Sequence, residues 1–154
     1  MANFSKMTLG AAGVLVTLAT LSPANAATGN GTASVKILRS VTVTKSTDLN
    51  FGKIVPSTTA STVTIAESGA RTCGSGLGCY DTATSGSFRV NGTSGEVVSV
   101  ALDSNTTTLT DGGSAAMTVN LATSTTALPL TGGTGDFKVG GTLNVGASQK
   151  EGSY

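Results

Sequence analysis

The chain of 154 residues contains no histidine and no tryptophan, and only 4% of its residues are aromatic. Hydrolytic triads and general-base pairs commonly depend on histidine, so its absence argues against a hydrolase. The eight acidic residues are scattered along the chain, and no spacing groups them as a catalytic carboxylate pair or as the compact oxygen cluster that calcium requires. We therefore expect a protein that is not an enzyme and that holds no metal and no cofactor.

An excess of charge of either sign is also lacking, because only 11% of the residues are charged and the formal net charge is +1. A protein that binds nucleic acid, or that docks electrostatically on anionic lipid, needs a basic face. We expect neither partner. A neutral chain with few charges is prone to associate with copies of itself.

Residues 1–26 have the pattern of a secretory signal peptide. An apolar run covers residues 9–21, and small residues follow as far as Ala26, which predicts cleavage before Ala27. The run is shorter than the roughly 20 apolar residues of a membrane span, so no integral span is expected. We predict an exported protein with a single domain over residues 27–154.

Two cysteines, Cys73 and Cys79, bracket a short loop rich in glycine. An even pair of cysteines in an exported protein usually forms a disulfide. A redox site favours a spacer of two residues, and a zinc site needs two further ligands, which cannot be histidine here. We predict a structural disulfide that stiffens the loop locally.

Apolar and polar residues alternate with a period of two in several short segments, which is typical of strands. Threonine and valine recur together, and branching at Cβ fits a pleated sheet. The segments are 35–44, 49–55, 61–66, 87–91, 96–103, 117–121, 137–139 and 142–145. Residues 67–86 lack this period and are expected to form a loop. Seven or eight short strands in one domain predict an all-β fold, an antiparallel immunoglobulin-like sandwich.

Four stretches of the chain resemble a bacterial family catalogued as domain of unknown function 4402. They are Leu49–Pro56 (LNFGKIVP), Ser61–Ile65 (STVTI), Val139–Ala147 (VGGTLNVGA) and Gly152-Ser153-Tyr154. The resemblance implies an exported protein of a Gram-negative bacterium, located in the periplasm, at the cell surface or outside the cell. It also implies a distant relationship to fimbrial subunits and to spore-coat-type pilins, which are immunoglobulin-like sandwiches.

The family pattern runs on from its Gly-x-Tyr motif into a last alternating strand, whereas this sequence stops at Tyr154. Two explanations stay open. Either the sequence is a piece of a longer protein, or the sandwich lacks its last strand and a strand from another subunit fills the groove. The face formed by Val35, Ile37, Val41 and Val43 has the alternation of a donor strand, although it forms the molecule's own first strand more simply.

Two functions therefore compete. The first is a structural, pilin-like subunit that assembles with copies of itself or with related subunits by strand pairing and close packing. The second is a stand-alone adhesive module of the cell surface, with a binding patch near the loop between Cys73 and Cys79. Tyr80 is the one aromatic residue expected on that loop.

Overall fold

The computed structural model describes residues 31–154, and the predicted signal peptide and its cleavage site lie outside them. Residues 36–154 form one compact unit. Within the described part of the chain every regular element is a β-strand, so the predicted all-β class is confirmed. No helix there is long and apolar enough to cross a membrane.

Eleven strands are found in the described residues, more than the seven or eight that the sequence pattern predicts. They are β1 (Thr42–Thr47), β2 (Lys53–Val55), β3 (Ser61–Ile65), β4 (Arg71–Cys73), β5 (Gly78–Tyr80), β6 (Gly86–Asn91), β7 (Val97–Ser99), β8 (Thr106–Thr110), β9 (Ala116–Thr123), β10 (Ala127–Pro129) and β11 (Thr134–Val145). Three of the additional strands have only three residues, which is too short for an alternation to be recognised.

All strand pairs in this part of the chain are antiparallel, and β11 lies at the centre of the largest sheet. Seven strands form that sheet, in the order β1-β6-β11-β3-β4, with β9 pairing β11 and β8 pairing β9. The remaining strands form two small sheets, β10 with β7 and β2 with β5. The first half of β11 pairs with β6 and the second half with β3.

The dipeptide Gly140-Gly141 lies where β11 passes from β6 to β3. A Cβ atom on Gly140 would lie 2.5 Å from the carbonyl oxygen of Ile65, so only glycine fits against the backbone that follows β3. The sequence pattern predicts a break between two strands at this dipeptide. That prediction is wrong, because the glycines serve close approach between backbones and the strand continues through them.

The apolar core consists of two clusters. The larger contains Phe51, Val63, Ile65, Val119, Leu143 and Val145, and the smaller contains Val90, Val100, Leu128 and Leu130. Among the phenylalanines of the strands and their flanks, Phe51 is buried. Phe88 and Phe137 are half-buried and stack on each other across β6 and β11, with ring centroids 5.2 Å apart.

The predicted strand over residues 35–44 is largely wrong. Residues 31–41 form no strand, and β1 begins only at Thr42. Val43 pairs with Val90 of β6 but remains 60% exposed, because β1 is an edge strand with exposed side chains on both faces. The alternation of Val35, Ile37, Val41 and Val43 therefore does not correspond to a buried face in this chain.

Candidate functional site: an open apolar groove

A groove of about 1010 Å³ opens beside the larger core cluster. One rim is the segment from Asp48 to Pro56, which contains β2. The other rim and the floor come from β8, β9 and the end of β11, and residues 149–154 lie at one end. The apolar side chains that line the groove are Leu49, Phe51, Ile54, Val55, Leu109, Met117, Val119, Leu121, Leu143 and Val145.

The floor of the groove is continuous with the core. Val119, Leu143 and Val145 are each no more than 3% exposed, and all three both line the groove and belong to the larger core cluster. In β9 the side chains that line the groove follow a period of two, which is the geometry of one face of a strand. The sheet therefore presents an apolar face that the described residues cover only in part.

The rim at β8 is an open sheet edge. β8 pairs with β9 on one side, and no described strand pairs with it on the other. Its sequence, TTTLT, contains no charged residue and no proline, which are the usual means of protecting an edge from further pairing. Thr107 and Leu109 of this strand line the groove. The groove thus combines an apolar floor with an edge strand whose outer side pairs with no described strand.

The opposite rim is held away from β8 by the pairing of β2 with β5. Just before β2, Gly52 adopts a positive φ of 76°, and a Cβ atom there would lie 2.6 Å from the carbonyl oxygen of Tyr80. The guanidinium of Arg71 donates hydrogen bonds to the carbonyl oxygens of Phe51 (3.1 Å) and Tyr80 (3.0 Å). These contacts fix the rim against β5 and leave the groove open.

We call residues 148–154 the strap, because this segment lies across one end of the groove, from Ser57 to the turn between β8 and β9. The amide of Ser148 donates to the carbonyl oxygen of Ser57, just beyond the β2 rim, at 2.7 Å. On the other side Lys150 Nζ lies 3.1 Å from Asp111 Oδ2, in the turn between β8 and β9. The pKa of Asp111 is lowered, first by the hydrogen bond that its carboxylate accepts from the amide of Gly113 and then by Lys150.

The segment Val35–Val43, in which the sequence predicts either a first strand or a donor strand, is the most exposed apolar segment among the described residues. Val35 and Ile37 are 86% and 88% exposed. Residues beside them make polar surface contacts with the turn after β6: Lys36 forms an ion pair with Glu96, and the amide of Arg39 donates to Thr93. The core does not use this alternating face.

The predicted disulfide between Cys73 and Cys79 is confirmed, and it links β4 to β5 with a Cα–Cα distance of 6.3 Å. Beside it Tyr80 is 58% exposed, with its ring against Gly78. Within residues 31–154 no group of three or more acidic or cysteine residues comes together as a metal site. Because the disulfide joins β4 to β5, it stiffens the small sheet of β2 and β5, which carries one rim of the groove.

An open apolar groove beside an unpaired edge strand is the geometry at which β-strand addition occurs in other proteins. The model of the family described as Domain of unknown function (DUF4402) matches residues 41–154, so the chain belongs to that family. Comparison with curated proteins and with solved structures gave no significant match.

Proposed function

We propose that this chain is an exported structural subunit of a surface assembly, which acts by strand addition between copies and carries out no catalysis. The observation that carries this proposal is the open apolar groove beside the unpaired edge of β8. A strand added at that edge gains backbone hydrogen bonds and buries alternate side chains against the floor. Export to the surface is supported by the sequence pattern of residues 1–26 and is compatible with the disulfide.

The proposed occupant of the groove is the segment Val35–Val43 of a second copy. In an extended strand Val35, Ile37, Val41 and Val43 lie on one face, which Arg39 interrupts, and Ile37 to Val41 equals the length of β8. Burying one isoleucine or valine side chain contributes about 1.5–3 kcal/mol, whereas Ile37 is almost wholly exposed in the single chain. When the segment leaves its place beside the β6–β7 turn, it loses the exposed contacts of Lys36 and Arg39 and, at its end, the pairing of Thr42 and Val43 with β6.

A second candidate function is a stand-alone adhesive module. It is favoured by the exposed pair Tyr80 and Val55 on the small sheet of β2 and β5, next to the disulfide. An adhesive patch there would work in a monomer and needs no added strand beside β8.

Sedimentation velocity of the purified chain over a range of concentrations separates the two functions. We expect species larger than the monomer that dissociate when excess synthetic peptide of residues 34–45 is added. A monomer at all concentrations, with no peptide binding, would contradict assembly by strand addition and leave the adhesive module.

A further inference from the structure

The strap, residues 148–154, lies across one end of the groove, with contacts to Ser57, just beyond the β2 rim, and to the turn between β8 and β9. Besides the bonds of Ser148 and Lys150, the side-chain Nε2 of Gln149 donates to the carbonyl oxygen of Ala116 at 3.5 Å. Gly152 packs so closely on the β8–β9 turn that a Cβ atom there would lie 3.0 Å from the Cβ of Asp111. The strap therefore spans the width of the groove that an added strand would occupy.

The contacts of the strap are polar and mostly exposed. Five of its seven residues are exposed, and the side chain of Lys150 is 66% exposed although its partner Asp111 is only 7% exposed. Two further bonds are internal to the strap: Tyr154 Oη donates to the carbonyl oxygen of Lys150 at 2.8 Å and accepts from Gln149 Nε2 at 3.0 Å. A segment without regular structure and with few buried apolar contacts opens at low cost in free energy.

We propose that the strap is a displaceable gate, whose opening limits the rate at which a second copy's segment enters the groove. This inference rests on the proposed function, because it assigns a regulatory role at the same groove. The ion pair of Lys150 with Asp111 holds the gate closed, and the hydroxyl of Tyr154 keeps the strap in its closed shape by hydrogen bonds within it. An incoming strand releases these contacts and replaces them with apolar burial on the floor.

The test measures the rate at which a fluorescently labelled peptide of residues 34–45 binds the full chain. The acceptor chain carries Ile37→Thr, which weakens competition by its own segment and leaves the groove intact. Lys150→Met removes the ion pair and keeps the turn that Asp111 organises. Lys138→Met is the matched control, since Lys138 is exposed on β11 and takes part in no ion pair among the described residues.

We expect association to be faster by roughly three- to fivefold with Lys150→Met, the size of effect that a partly exposed ion pair gives, and unchanged with Lys138→Met. Adding Tyr154→Phe to Lys150→Met increases the rate further. Amide hydrogen exchange of the strap is expected to become faster when peptide is bound. Urea unfolding of each variant is the control that checks whether the fold is retained.

Two results overturn the gate. If peptide binds all chains at one rate, and strap exchange is unchanged on binding, the strap is no gate although the groove still takes a strand. If peptide binds none of the chains, the gate and the proposed function are both overturned.

Discussion

The substitution Ile37→Thr tests whether the exposed segment Val35–Val43 takes part in assembly by strand addition. Ile37 is 88% exposed in the single chain, so this substitution removes no core contact there. In the proposed assembly its side chain lies on the groove floor of the next copy. Threonine keeps the branched Cβ that a strand favours but loses most of the apolar surface.

The expected size of the effect follows from that burial. Loss of about 2 kcal/mol of apolar burial raises the dissociation constant for self-association roughly 30-fold. The free energy of unfolding of the single chain changes by less than about 0.5 kcal/mol, because the site is on its surface. Sedimentation velocity gives the first quantity and urea unfolding gives the second.

The matched control is Leu38→Thr, one residue along the same segment. Successive side chains of a strand point to opposite faces, so Leu38 would point away from the groove when Ile37 points into it. We expect Leu38→Thr to change the dissociation constant by less than about threefold, within the scatter of surface substitutions. Equal effects of the two substitutions, or no effect of Ile37→Thr, would contradict the placement of the Ile37 side chain on the groove floor of a second copy.

Three further predictions concern the fold around the groove. Leu143→Ala, beneath the groove, is expected to cost about 2–5 kcal/mol of the free energy of unfolding in urea, and a loss below about 1 kcal/mol would show that this residue is not part of a packed core. Replacing both Cys73 and Cys79 by serine is expected to cost roughly 2 kcal/mol, the value for a short closed loop, while self-association measured by sedimentation stays unchanged because neither residue lines the groove. The pKa of Asp111 is lowered in the folded chain by Gly113 and the lysine of the strap, so its contribution to stability is present above the unfolded pKa of about 3.9 and is lost as the pH falls through the folded pKa. Asp111→Asn should therefore reduce the loss of stability between about pH 5 and pH 2 in urea titrations, and an unchanged pH dependence would contradict this assignment.

The all-β class, several strands and the disulfide could be predicted from the sequence because they depend on local patterns. Residues 61–65 alternate strictly and form β3, and residues 117–121 fall within β9. The cysteine pair needs only its spacing and an exported context. In each of these cases residues that are close together in the sequence are enough to predict the feature.

The groove could not be predicted from local patterns, because it depends on which strands stay unpaired. β8 has a single apolar residue, Leu109, among threonines, so its sequence gives no alternation to recognise. The exposed face of Val35 and Ile37 has the pattern of a buried strand, yet no described strand pairs with it. A period of two shows that a face is apolar and does not show which molecule covers it.

The continuity of β11 through Gly140-Gly141 is a second feature that local sequence patterns could not predict. Glycine weakens a strand when judged by its neighbours alone. Here the backbone that follows β3 approaches so closely that a side chain would not fit. Only the long-range pairing of β3 with β11 reveals the reason for these residues.

The most direct measurement mixes two variants that retain the native disulfide and each carry one added cysteine, Ile37→Cys in one and Leu109→Cys, on the open edge strand, in the other. If the segment of one copy lies beside β8 of the next, the two chains form a covalent dimer on a non-reducing gel. Val97→Cys replaces Leu109→Cys in the control, since Val97 is 65% exposed on β7 and does not line the groove. Absence of the dimer, or equal amounts with the control, would contradict the claim that a second copy's segment occupies the groove.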